Sequence, residues 1–133
     1  MLQEYTHLLP LERPIWARYL ERTKEQFLSL IYDMHLGAGA PVAEEWSPGT
    51  AAIVAAVSRK RVDVLGETAG EIIIFEIKPR AGMSAMGQLL NYRTLYEMEH
   101  KPTKPIRLVV VCERVEHDIQ LTYARQGIEL AIV

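Results

Sequence analysis

The stretch 71-EIIIFEIKPR-80 restricts the fold more than any other part of the chain. Ile72, Ile73, Ile74 and Phe75 follow one another without a polar break, so a strand built from them carries apolar side chains on both faces. Both faces must then be covered, which places the strand in the middle of a sheet with helices on either side. Glu76 and Lys78 end this run, and Pro79 stops it. Alternation puts both charges on the face of Ile72 and Ile74, with Ile73, Phe75 and Ile77 on the other. A buried carboxylate or ammonium standing alone is very costly, so each must be paired, neutralised or bound to an ion.

The rest of the chain supplies partners for such a strand. In residues 14–36 apolar positions recur at helical spacing (Ile15, Trp16, Leu20, Phe27, Ile31, Met34). Pro14 suits a first turn and Gly37 a stop, so the spacing predicts one long amphipathic helix. Residues 38–50, rich in Gly and Pro, read as a loop. Residues 51–60 and 61–65 read as two strands, although the Ala-rich part of the first also fits a short helix. In the second, Val62 and Val64 are expected to face away from Asp63. Residues 66–70 make a turn, so 61–65 and 71–78 form an antiparallel hairpin. Ala85, Leu89, Tyr92 and Tyr96 mark a helix over 84–100 with Ser84 as its N-cap. A strand over 106–112 follows, then a helix over 117–127 with Asp118 as N-cap and Gly127 closing it, and a last strand over 128–133. The expectation is one α/β domain over 1–133, a mixed central sheet flanked by helices in the order αβββαβαβ.

Composition narrows the chemistry. The 133 residues are 49% apolar and 24% charged, an ordinary soluble balance for one domain. A net charge of −2 argues against holding nucleic acid by bulk positive charge. Local basic groups remain in 59-RKR-61, Arg80 and Arg93, where phosphate contacts would gather if nucleic acid binds. No run approaches the ~18 apolar residues of a membrane span, and the first residues lack a signal-peptide layout. The single cysteine, Cys112, lies in the apolar run 108-LVVVCE-113 and reads as a core thiol, which points to a reducing, cytoplasmic setting. His7, His35, His100 and His117 have no metal-ligand spacing. Without a Cys-x-x-Cys pair, a phosphate-binding glycine loop or a Gly-x-Ser-x-Gly elbow, carboxylates are left to carry the chemistry.

A hairpin turning near residues 67–70 brings Asp63 beside Glu76, and that even-length loop sets both on one face. Two carboxylates at close range repel unless a cation lies between them. A hard ion such as Mg²⁺ suits that arrangement, keeps several waters and binds through one or two carboxylates plus substrate phosphate. Lys78, one pleat further, can reach the bound water or the phosphate. Gln88 and Tyr92, four apart on the following helix, would overhang the cluster. The competing reading is a strand end in solvent, with Glu76, Lys78 and Asp63 simply hydrated.

These residues carry a resemblance. Asp63, then Glu76-Ile77-Lys78 at the end of a hydrophobic strand, resembles the PD-(D/E)XK nuclease motif, although Val62 replaces the usual proline. Gln88-Leu89-Leu90-Asn91-Tyr92 resembles the QxxxY motif of the RecB-like branch. The resemblance implies a restriction-endonuclease-like core and a metal-dependent nuclease acting on nucleic acid, DNA in the first place. It implies that Asp63, Glu76 and the Ile77 carbonyl bind Mg²⁺, with Mn²⁺ able to substitute, and that Lys78 acts in catalysis. Gln88 and Tyr92 would position Lys78 or the substrate backbone. The superfamily also uses an acid on the first helix, for which Glu21 and Glu25 are candidates, with Glu44 and Glu45 as weaker ones. With no specificity domain beside the core, a homodimer or larger assembly is expected. The alternative is a catalytically silent scaffold of the same fold that binds nucleic acid or a protein partner.

Overall fold

The central strand behaves as its sequence requires. In the computed structural model, which describes residues 8–37, 44–58 and 60–133, β3 (Ile72–Ala81) is buried from Ile72 to Ile77 and lies third in a five-stranded sheet. β2 (Lys60–Glu67) pairs with it antiparallel, Val64 opposite Phe75 and Glu67 opposite Ile72. β1 (Ser29–Leu36) continues the antiparallel side against β2. On the other side β4 (Ile106–Val115) runs parallel to β3, with Lys78 opposite Cys112, and β5 (Ile128–Ile132) runs parallel to β4. Parallel neighbours need crossovers. The helices α3 (Met83–His100) and α4 (Gln120–Arg125) provide them. The result is an α/β fold with a mixed sheet flanked by helices.

The two faces of β3 fill two separate cores. Ile72 and Ile74 pack with Ala85, Leu89, Tyr92 and Tyr96 of α3. Ile73, Phe75 and Ile77 pack with Ile15, Trp16 and Tyr19 of α1 (Arg13–Arg22). Trp16, Tyr19 and Phe27 all place their rings 5.0–6.0 Å from Phe75. A Cβ at Gly66 would stand 2.9 Å from the Phe27 ring, so glycine there admits this aromatic close approach.

The observed order, αβαββαβαβ, differs from the expected αβββαβαβ at the N-terminal side. The long helix expected over 14–36 ends at Arg22. Thr23 is extended, with ψ at 147°, and its hydroxyl accepts the Glu25 N–H at 3.1 Å. The polar run at 21–26 therefore separates two elements, and residues 29–36 form β1. Residues 51–58, expected to be a strand with a short helix as the alternative for the Ala-rich part, belong to α2 (Pro48–Ser58). Ser47 opens that helix, its hydroxyl accepting the Thr50 N–H at 3.1 Å with Pro48 following, and Ala favours its interior. Loop residues 38–43 and Arg59 lie outside the described residues. Gly82 caps α3 without a side-chain bond, and Ser84 is already inside it. Ile119, not Asp118, precedes α4, and Asp118 adopts a left-handed φ of 60°. Gly127, with φ at 70°, does close that helix as expected.

Candidate active site

Past Val64 and Phe75 the β2–β3 ladder opens, and the Asp63 carboxylate enters the gap. Its Oδ2 accepts the Ile77 N–H at 2.9 Å. In an extended strand the N–H and C=O of one residue point to the same side, so the Ile77 carbonyl faces this gap too. Asp63 is half-buried, and the Glu76 carboxyl lies within hydrogen-bonding reach of it. The hairpin thus brings the two acids together as the sequence suggested.

Glu76 is 2% exposed. Burial pushes its carboxyl up to about 9; the Asp63 charge, a hydrogen bond to Asp63 and the Glu12 charge add to the rise, and Lys78 opposes it. Lys78 Nζ stands 3.6 Å from Glu76 Oε2, too long for a strong hydrogen bond. Burial and the neighbouring Asp63 together thus disfavour charge on Glu76 in the metal-free protein. Glu76 Oε1 is buried and has no hydrogen-bond donor.

Tyr92 hangs over this pair from α3. It is buried, and its phenol is pushed up by desolvation and by the charges of Glu76 and Asp63. Gln88 lies one turn earlier on the same helix, and its Oε1 is also buried without a donor. These are the two orphaned side-chain acceptors among the described residues. Buried polar atoms are normally satisfied, so a region holding such acceptors is one that a cation or its waters would complete.

Glu12 joins the cluster, and sequence reasoning missed it. It is the residue before α1, 7% exposed, and its carboxyl is pushed up by burial and then by Asp63, with the Leu9 N–H and Lys78 pulling back. The acids that the sequence offers for this place lie elsewhere. Glu21 is exposed, and Glu25 lies beyond the helix end, bound to Arg107 at 2.7 Å. Glu44 and Glu45 are exposed. The available signal was Glu12 directly ahead of Arg13-Pro14, a helix start whose first turn had to approach the sheet for Ile15 and Trp16 to be buried.

The donor set fits a hard divalent cation: two carboxylates in contact and a backbone carbonyl on the same gap, all oxygen. Among the described residues no three His, Cys, Asp or Glu side chains converge at ligand distance. Of the basic residues, Arg80 is exposed, Arg93 half-buried, and Arg61 lies 3.8 Å from Asp33.

No family model and no curated protein matches the chain. Among solved structures it is similar to a repair endonuclease from Pyrococcus abyssi, with a TM-score of 0.58 and 18% identity over 95% of this chain and 47% of that one. It is also similar to EndoMS in a complex with double-stranded DNA (TM-score 0.53, 17% identity, 95% of this chain and 46% of that one). EndoMS in apo form gives 0.52 and 18%, over 92% and 45% of the two chains. The chain spans about half the length of these endonucleases, and the likeness is one of fold.

Proposed function

We propose that this chain is a metal-dependent nuclease of the PD-(D/E)XK kind, in its QxxxY branch, hydrolysing phosphodiester bonds of DNA. The observation that carries this reading is Glu76: a carboxyl buried beside Asp63 and Glu12, pushed up by that burial and lacking a donor, midway along the central strand where its pairing with β2 ends. Protein groups leave that arrangement unsatisfied, and a divalent cation would satisfy it. Asp63, Glu76 and the Ile77 carbonyl would hold Mg²⁺ or Mn²⁺, with Glu12 reaching it through water. Such an ion supplies Lewis-acid polarisation of a phosphoryl oxygen and acidifies a bound water.

The remaining steps belong to the chain. Asp63 orients the site through the Ile77 N–H, and Glu76 must give up its proton for the ion to bind. Lys78, half-exposed, meets the nucleophilic water or the charge developing on the phosphoryl oxygens. Tyr92 and Gln88 fix Lys78 or the substrate backbone, while Arg80, Arg93 and Arg61 offer phosphate contacts. The EndoMS complex with double-stranded DNA makes duplex DNA the first substrate to try. The lack of a third converging side-chain ligand among the described residues leaves a second reading, a silent scaffold of the same fold that binds nucleic acid in a homodimer or larger assembly. A cytoplasmic location suits either.

The test is cleavage of labelled duplex, single-stranded and branched DNA and of RNA, with Mn²⁺ or Mg²⁺ and with chelator. Cleavage that needs the metal and disappears in Glu76→Ala supports the nuclease. Binding without cutting under every metal condition supports the scaffold.

A further inference from the structure

The strand pair β1–β2 changes face at a single point. Leu30 and Tyr32 pack in the α1 core, whereas Met34 and Leu36 pack in the α3 core. Residues two apart on a regular strand share a face, so the pleat must reverse between Tyr32 and Met34. β2 reverses at the same level: Val64 belongs to the α1 core and Val62 to the α3 core. The expectation that Val62 and Val64 share one face away from Asp63 is thus corrected. Pairing keeps one register across the change, with Tyr32 opposite Val64 and Met34 opposite Val62. The reversal is therefore confined to Asp33 and Asp63, which lie opposite each other between those pairs. Asp33 makes it with φ at 55°, a left-handed conformation that costs most L-residues and is tolerated best by Gly, Asn and Asp.

Asp63 uses its half of the reversal. Where β2 leaves the regular pleat, its side chain rather than a main-chain carbonyl meets the Ile77 N–H. We propose that Asp33 is a positioning residue for Asp63: its left-handed backbone lets β1 follow the turn in β2 that aims the Asp63 carboxylate at Ile77 and Glu76. The backbone of Asp33 carries this role. Among the described residues its carboxylate makes long contacts with Arg61 and His35, both at 3.8 Å. A residue that resists positive φ would restore the regular pleat in β1, straighten β2 through their shared register and withdraw Asp63 from the gap. The functional meaning rests on the nuclease reading, whereas the geometric claim does not.

The experiment measures Ile77 amide exchange by NMR in the metal-free full chain, alongside Mn²⁺ affinity. Asp33→Gly and Asp33→Asn should keep both at wild-type values. Asp33→Val should lower Ile77 protection and Mn²⁺ affinity by about tenfold or more, the factor set by one forced left-handed residue. Val110, on β4, should keep its protection, which separates the effect from general destabilisation. If Asp33→Val does not fold, Asp33→Ala carries the same expectations. Unchanged Ile77 protection in the Val or Ala variant overturns the proposal, as does an Asp33→Gly variant as impaired as Asp33→Val. A wild type that binds no Mn²⁺ sinks the nuclease reading instead, and Ile77 exchange still decides the role of Asp33.

Discussion

Two places along β3 gather acids around a cation, with opposite results. At the start of the strand, Arg107 holds Glu25 at 2.7 Å, Glu129 at 2.8 Å and Glu71 at 3.1 Å. Those bonds drive the guanidinium up and hold Glu129 below the ordinary carboxylate value. Lys104 pairs with Glu67 nearby at 2.7 Å. Midway along the strand Glu76, Asp63 and Glu12 have Lys78 at 3.6 Å from Glu76, and burial pushes the Glu76 carboxyl up to about 9. Glu129, with a short and direct partner, is held down and belongs to the architecture. Glu76 and Glu12, crowded in a dry place without such a partner, are pushed up, the pattern expected of groups arranged for a ligand.

The largest effect that can break this contrast is on cleavage. Glu76→Ala should reduce metal-dependent cutting to background and lose metal binding with it, because it removes a ligand. Lys78→Ala should slow cutting by roughly 10²–10³ while metal affinity holds or improves, since a neighbouring positive charge is removed. Metal titration and single-turnover cleavage separate the two. If Lys78→Ala loses metal as Glu76→Ala does, the lysine is part of the scaffold of the site.

Stability without metal comes next. Relieving a crowded acid should cost nothing, so Glu76→Gln should melt in chelator at or above the wild-type temperature. Arg107→Ala strands three carboxylates and should lose about 1–2 kcal/mol, discounted for its partly exposed partners. Chemical denaturation of both variants checks the pair. A Glu76→Gln protein several kcal/mol less stable than wild type would make the two clusters alike.

Acid titration sharpens the same contrast with opposite signs. The folded Glu76 pKa lies near 9, above its ordinary 4.5. Its contribution is complete below 4.5 and is lost as pH rises toward 9, a decline of a few kcal/mol in chelator. Saturating Mg²⁺ should flatten that decline. Glu129 runs the other way: its folded pKa is lowered, so its contribution is present above 4.5 and lost as pH falls through the folded value. Denaturation midpoints across pH, for wild type and Glu76→Gln, should show the neutral-to-alkaline slope disappear in the variant alone.

What the sequence disclosed depended on how local the cause was. β3, its hairpin with β2 and the meeting of Asp63 with Glu76 follow from a four-residue apolar run, alternation and a short turn, all visible within twenty residues. Tyr92 and Gln88 follow from helical spacing on the next element. β1 was hidden because Phe27, Ile31 and Met34 match a helical repeat as well as a strand that changes face at Asp33. α2 was hidden because short apolar runs fit either element, and its Ser47-Pro48 start was read as loop. Glu12 reaches the site only because α1 packs across the sheet, and the Asp33 backbone reversal leaves no compositional trace. Long-range packing decides such features, and one chain's pattern does not encode it openly.

The most direct test of the central claim is isothermal calorimetry of Mn²⁺ binding at pH 7 in buffers of different ionisation enthalpy. A carboxyl held near 9 must be emptied for a cation to enter. The account predicts one site, release of about one proton per ion, and loss of both in Glu76→Ala. Absence of binding, or binding that releases no proton and survives Glu76→Ala, would contradict it.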